Sequence, residues 1–297
     1  MLCKRHEEHR STALYYRIAV NFCNTPLIQG FRGFVARLGE VAVQVSYAYM
    51  SVADEAYAKC LLVAKDSPHV MGTVAIGKVI AVGVGANGFR EGDRVAAFTI
   101  TGGGAQSILT VGADNAIAYN AREYDYLDSL IIAVLSIRRE LLELVKGANV
   151  LVVGKDLSII PFTYVAQQHS LKVFTIPKYT LWPDVVKGEH ISVYEDRRLF
   201  DVVVMASCDP LIVSLVPRLV RDGATLIVHP ATRSLLRLAY FNVQSITVKL
   251  MQFGDMASGE AVYSRFKDLI KSRIPVLKPQ DFASKPVFPA ITDLQSL

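Results

Sequence analysis

Apolar and polar positions change period along the chain, and three regions follow. From about residue 12 to 120 the apolar residues fall in short runs cut by glycine. Val41-Ala42-Val43-Gln44-Val45-Ser46-Tyr47 partly alternates and is rich in β-branched residues. Gly77–Val82 and Asp93–Phe98 read as two more strands, with earlier ones around Leu14–Val20 and Phe31–Val35. Glycines at 72, 77, 83, 85, 88, 92 and 102–104 punctuate them. Short strands between frequent turn signals predict a small β-barrel or sandwich.

The period then becomes helical. Leu127, Leu130, Ile131, Val134, Ile137, Leu141, Leu142 and Val145 predict one amphipathic helix of about five to six turns, stopped at Lys146-Gly147. Four apolar runs follow as buried strands: Val150–Gly154, Lys172–Ile176, Asp201–Met205 and Thr225–Val228. Between them lie helices at Ile159–His169, with Pro161 in its first turn, and Leu211–Val220, ended by Gly223. Alternating βαβ units predict an α/β fold with a doubly wound parallel sheet. The remainder, about 249–297, holds a helix at Ala261–Lys271 and a proline-rich tail.

Composition narrows the function classes. A chain of 297 residues with 52% apolar residues can bury a core and is not disordered. No apolar run reaches the roughly 18 residues that span a bilayer. The start, Met1–Arg10, is charged and carries no secretory segment, so a cytoplasmic location is expected. The net charge of +5 is thinly spread, with basic doublets only at Arg138-Arg139 and Arg197-Arg198 beyond the N-terminus. That is a solvated surface rather than a nucleic-acid footprint. Cys3, Cys23, Cys60 and Cys208 share no close spacing, which excludes a zinc ribbon or CxxC motif and suits four thiols in a reduced compartment. His6 and His9 are a chance pair.

The order of parts, from about Gly39 to Ile274, resembles the medium-chain dehydrogenase/reductase family, in particular its zinc-free quinone oxidoreductase branch. Gly39-Glu40-Val41 with Asp54 is similar to the family's opening strand and acidic turn. Gly72 through Gly83, then Phe89-Arg90-Glu91-Gly92-Asp93-Arg94-Val95, resembles its glycine and "GDRV" signature, and Gly102–Gln106 its "GGYAEY" turn. The resemblance implies a GroES-like β-barrel over 1–120, with 254–297 returning to it, and a Rossmann-type sheet over 121–253. Zinc-dependent members carry a Cys where this chain has Ser51, and Gly-His-Glu where it has Gly72-Thr73-Val74. These side chains offer no metal-ligand set, and the four-cysteine loop of a structural zinc is missing, so no zinc is expected.

A dinucleotide fold runs its first strand into Gly-x-Gly-x-x-Gly and a helix, so that backbone N–H groups meet the pyrophosphate. Here the strand runs into Gly154-Lys155-Asp156-Leu157-Ser158-Ile159. Only the first glycine is kept. Asp156 sets a negative charge where an anion belongs and is a good N-cap. Ile159 would push the helix from the strand. Lys155 could bind phosphate or lie on the surface. After the second strand, Lys178-Tyr179, with no acid, would favour NADPH if a nucleotide binds; Lys178 is equally well a surface lysine. The literal Gly83-Val84-Gly85-Ala86-Asn87-Gly88 leads into another strand, not a helix, and is read as a turn.

Candidate proton donors are hydroxyls: Ser51 first, at the family's catalytic position, then Thr73, Tyr49 and Tyr47. His69 is read as a solvent-exposed loop residue near the same cleft. Two functions stay open: a zinc-independent, NADPH-linked reductase of a small carbonyl or quinone, and a catalytically inactive, dehydrogenase-like scaffold that binds another ligand or a protein. By the resemblance the chain is a homodimer, paired through the β-branched edge Ser245–Leu250.

Overall fold

The computed structural model describes residues 14–20, 25–62, 68–99, 102–120, 122–183, 188–192, 200–237, 241 and 245–296. Cys3, His6, His9, Cys23 and the Arg197-Arg198 doublet lie outside them. The N-terminal half contains β1 (Leu14–Val20), β2 (Leu27–Arg32), β3 (Glu40–Met50), α1 (Val52–Ala58), β4 (His69–Val70), β5 (Val74–Val82), β6 (Arg94–Phe98), β7 (Ile108–Gly112) and β8 (Ala116–Ala118). Then come α2 (Tyr126–Leu135), α3 (Arg139–Glu143), β9 (Asn149–Gly154), α4 (Ile160–His169), β10 (Lys172–Thr180), β11 (Glu189–His190) and β12 (Phe200–Ala206). The chain closes with α5 (Pro210–Leu215), β13 (Val220–Val228), α6 (Pro230–Arg233), β14 (Ile246–Leu250), α7 (Met256–Arg273), β15 (Val276–Leu277), α8 (Pro279–Ser284) and β16 (Ala290–Asp293).

Strand β3 is the spine of the barrel part. It pairs antiparallel with β5, with β7 and, from the far end of the chain, with β16. Its register against β5 slips twice, the second time between Val45 and Tyr47. The slip changes which side chains face which way, since alternation along a strand is strict until a bulge resets it. Before it, Val41, Val43 and Val45 fill the barrel core; after it, Ala48 and Met50 do. Tyr47 and Tyr49 are thereby turned into the second core, shared with the C-terminal half. A separate three-stranded sheet, ordered β2-β1-β4, flanks the barrel.

The other sheet is six-stranded and wholly parallel, ordered β11-β10-β9-β12-β13-β14. Its first strand, β9, lies beside β12, so the winding reverses between them, the switch point of a doubly wound sheet. β9 is buried on both faces: Val150 and Val152 enter one core, Leu151 and Val153 the other. This explains its uninterrupted apolar run. The outer strand is β14, whose Val248 is 42% exposed.

Three expectations are corrected. The long helix over 127–145 is two helices, because Ser136–Arg138 leaves the helical path to pair with 252–254. Gly254 donates to the Ser136 carbonyl (2.7 Å), Arg138 N to that of Gln252 (2.9 Å), and Ile137 bridges Phe253. α2 is also buried on every side rather than amphipathic, with residues 128–135 all inaccessible. Gly223 ends no helix. It sits inside β13 with φ +77°, where the pairing with β12 slips from Phe200↔Val220 to Val202↔Thr225 and the extra residues turn in left-handed backbone. Cys60 is disulfide-bonded, so the four-thiol reading fails there. No described helix is long and apolar enough to cross a membrane.

The helices α2 and α7 meet closely at Gly259, where a Cβ would stand 2.3 Å from the Ile132 carbonyl oxygen. An ionic cluster around the buried Asp128 ties the same pair. Asp128 on α2 accepts from the Tyr263 hydroxyl and from Lys271 Nζ, each at 2.5 Å, with Lys267 at 3.4 Å. Burial pushes the Asp128 carboxyl up, but the Lys271 and Tyr263 hydrogen bonds and the two lysine charges outweigh it and hold it below the usual range. A depressed folded pKa adds stability that is present above the unfolded carboxylate range and lost as pH falls through the folded value. Asp128→Ala is expected to cost about 1–2 kcal/mol at pH 7, because the two lysines are partly solvated, read by urea unfolding, with the difference from wild type shrinking below about pH 4.

Candidate functional site

The turn after β9 is built from contacts that leave it no free donor face. Gly154 has φ +142°, and a Cβ there would lie 2.2 Å from the Ala206 carbonyl oxygen, so glycine is required by the approach of β12. Lys155 N donates to the same oxygen at 3.2 Å. Asp156 is extended and caps a 3₁₀ turn over 157–159 that precedes α4, its Oδ1 accepting from Ser158 N at 3.0 Å. Its Oδ2 reaches across to the barrel part and accepts from Val52 N, the first residue of α1, at 3.2 Å. Leu157 N donates to the Tyr49 hydroxyl at 3.0 Å, and Ile159 N to the Asp156 carbonyl at 3.3 Å. Asp156 is 1% exposed, and Leu157, Ser158 and Ile159 are fully buried.

These contacts test the fit of a dinucleotide. Pyrophosphate binding needs backbone N–H groups pointing outward at a helix start with room beside them. Here the N–H groups of Lys155, Leu157, Ser158 and Ile159 are all spent on protein oxygens, and a carboxylate fills the space. The residues of this turn do not fit the pyrophosphate of a nicotinamide dinucleotide.

Facing the turn is the start of α1. Ser51 caps it: Ser51 Oγ accepts from Ala53 N (3.0 Å), and Ser51 N donates to Asp54 Oδ2 (2.8 Å), a capping box. The other Asp54 oxygen accepts from Gly72 N at 2.8 Å. Asp54 is fully buried. Burial raises its pKa, the Ser51 and Gly72 N–H bonds oppose this, Asp156 adds to it, and the carboxyl is pushed up to about 7. Burial, then the Asp156 charge, also raises the Tyr49 phenol. His229, the N-cap of α6, is 3% exposed and its Nδ1 accepts from Ala231 N at 3.3 Å. Burial lowers it, against the pull of Asp156.

The structure therefore brings Ser51 and Tyr49 to the Gly154–Ile159 turn, but as structural partners sealed at 1% exposure each. Thr73 is 4% exposed, beside Gly72, and gives its N–H to the Tyr49 carbonyl (3.0 Å). Tyr47 lies apart, its pKa raised by burial and by Asp293 and Asp125. His69 is not a solvent-exposed loop residue. It lies on β4, half-buried, stacked on Tyr57 of α1 at 3.7 Å, and burial lowers it to about 4. Gly83–Gly88 is a turn between β5 and β6, as read. Asp54 and His229 were not among the expected site residues. The Ser51-x-x-Asp54 spacing carried the signal for the first; His229, an N-cap before Pro230, had none.

Two cavities border the seam between the halves. One of about 340 Å³ opens at the C-terminal ends of β9, β10 and β12, between Lys155, Tyr179, Ser207, Cys208, Glu55 and Lys59. Lys178 is not in its wall; its ammonium lies 5.6 Å from the Tyr179 ring. Burial, then Glu55 and Asp156, push the Cys208 thiol up to about 12, which favours its protonated form at neutral pH. The other, about 600 Å³, is a groove between the two halves with an apolar floor of Phe98, Ile117, Met251 and Phe253, beside Arg138. Phe98 and Phe253 stack at 6.1 Å. Among the described residues no group of three or more His, Cys, Asp or Glu is placed to hold a metal ion.

Residues 37–120 match the alcohol dehydrogenase GroES-like domain. Solved structures align over nearly the whole chain. A thermostable alcohol dehydrogenase from Pyrobaculum aerophilum is 18% identical, with a TM-score of 0.59 over 94% of this chain and 99% of its own. CAD from Helicobacter pylori complexed with NADP(H) is 14% identical, with a TM-score of 0.63 over 95% and 99%. The human synaptic vesicle membrane protein VAT-1 homolog-like protein is 15% identical, with a TM-score of 0.62 over 95% and 99%. No curated protein matches by sequence. The chain thus has the medium-chain dehydrogenase/reductase fold: a GroES-like part and a Rossmann-type parallel sheet.

Asp54 gives this seam a pH signature. Its folded pKa of about 7 lies above the ordinary carboxylate value, so its contribution is full below about pH 4 and is lost as pH rises through 7. Between pH 5 and 8 wild type is expected to lose about 2 kcal/mol relative to Asp54→Asn, which keeps His229 and Asp156. Urea unfolding at both pH values reads this. The asparagine variant starts less stable, since its amide NH₂ faces an N–H donor, so the slope is the observable and parallel curves would refute the assignment.

Proposed function

We propose that this chain is a dehydrogenase-fold binding protein that performs no nicotinamide-dependent hydride transfer. The observation that carries the reading is the Gly154–Ile159 turn, where Asp156 and Tyr49 use the N–H groups and the space that a pyrophosphate needs. Burial of Ser51, Tyr49 and Thr73 supports it, because a proton donor must reach a reacting oxygen. Zinc chemistry is not part of this reading: Ser51, Thr73 and Val74 supply no thiolate, imidazole or carboxylate. The ligand is a small molecule in the interdomain groove or the sheet-end cavity, or a protein. Their volumes fall within the usual range for small-molecule sites.

The second reading, an NADPH-linked reductase of a small carbonyl or quinone, is favoured by Lys155 and Tyr179 in the wall of the sheet-end cavity. It also draws on the fold shared with a Helicobacter pylori protein complexed with NADP(H). Titration of the purified protein with NADPH and NADH separates the two. A nucleotide that binds only the folded chain raises Tm once it exceeds its Kd. The expected result is no shift and no calorimetric heat at millimolar nucleotide. A saturable shift with NADPH would overturn the binding-protein reading.

Dimerisation through the Ser245–Leu250 edge belongs to the same proposal. β14 is the outer strand of the parallel sheet and its outward residues are exposed, an edge of the kind that pairs with a copy. Sedimentation at micromolar concentration is expected to give a dimer, and Val248→Pro, which removes an N–H from that edge, a monomer. A monomeric wild type would refute it.

A further inference from the structure

We propose that Asp156 is an internal latch: its carboxylate holds the GroES-like part against the parallel sheet from the position where this fold class leaves room for a dinucleotide pyrophosphate. The inference goes beyond the absence of cofactor chemistry, because it assigns the carboxylate a job. The latch is a single side chain with one oxygen committed to each half. Oδ1 holds Ser158 N at the start of the α4 segment, and Oδ2 holds Val52 N at the start of α1. A second strut runs beside it in the opposite sense, from Leu157 N to the Tyr49 hydroxyl.

Both struts join the same two short segments, 49–54 and 154–159. Both are sealed: Tyr49, Ser51 and Asp156 are 1% exposed and Val52 2%. Two segments that each begin a helical turn give one N–H each to the same side chain, and the positive end of a helical turn favours an anion there. Asp156 is that anion. The carboxylate is part of the chain, so the contact between the two halves needs no bound ligand.

The bulge in β3 is the second part of the device. It turns Tyr49 out of the barrel core and toward the turn, so that the phenol meets Leu157. Without the parity change at Val45/Tyr47 the hydroxyl would point into the barrel.

Amide hydrogen exchange on the full chain, resolved to single residues, tests the latch. In Asp156→Ala the amides of Val52 and Ser158 are expected to lose at least tenfold in protection together. Val79 in β5 and Val203 in β12, each in a core of its own half, keep theirs. The radius of gyration from X-ray scattering rises in the same variant. Tyr49→Phe removes only the second strut, so Leu157 loses protection and Val52 does not. If the alanine variant does not fold, Asp156→Asn, of equal volume, keeps one acceptor oxygen, so protection falls at one of Val52 and Ser158 while Val79 and Val203 keep theirs. Unchanged protection at Val52, or an equal loss at Val79 and Val203, would overturn the proposal. Nucleotide binding by wild type bears on the function proposed above, whereas these amides decide the latch.

Discussion

A carboxylate with no access to water must find donors or lose its charge, and that constraint on Asp156 organises the centre of the molecule. Removing an ionised side chain from water costs several kcal/mol unless hydrogen bonds replace the lost hydration. Asp156 meets the requirement with two backbone N–H groups from different halves of the chain, and the Tyr49 hydroxyl stands beside it. One side chain thus takes part both in the contact between the two halves and in the shape of the turn after β9. The second buried carboxylate, Asp54, is held by the Ser51 and Gly72 N–H groups on the barrel side of the same seam. Asp156 raises its pKa.

The cores on either side hold this seam in register. Val150 and Val152 of β9, all of α2 after its first turn, and Tyr49 of β3 belong to one apolar cluster that spans both halves. Because β9 is buried on both faces, it cannot shift to relieve a poor contact at its C-terminal end. Gly154 is fixed by the approach of β12, and the 3₁₀ turn that follows is buried with it. The site is rigid for the same reason that the core is well packed.

A fold of this kind carries chemistry in its loops and cleft, and the same scaffold serves proteins with different activities. In this chain the cleft positions are occupied by apolar or capped side chains. The remaining openings lie at the sheet end and in the groove above Phe98 and Phe253. The former lines up charged residues of both signs around a buried thiol; the latter offers an aromatic floor. Both are suited to holding a ligand.

Much of the fold was legible in the amino-acid sequence. The βαβ alternation, the apolar runs of β9 and β12, the glycine-cut strands of the barrel and the departure from the pyrophosphate glycines at Asp156 and Ile159 are local patterns, and local patterns survive without the partner. The break at Ser136–Arg138, the bulged Gly223 and the burial of His69 were not legible, because each depends on a segment distant in sequence: 252–254, β12 and α1. The same holds for the site. The sequence by itself determined that Asp156 replaces a glycine and can cap a helix. Only the tertiary structure decided that its second oxygen binds Val52, about a hundred residues earlier, and that Ser51 and Tyr49 are enclosed. A carboxylate has two acceptor oxygens, and nothing in the chain order says what the second one will meet.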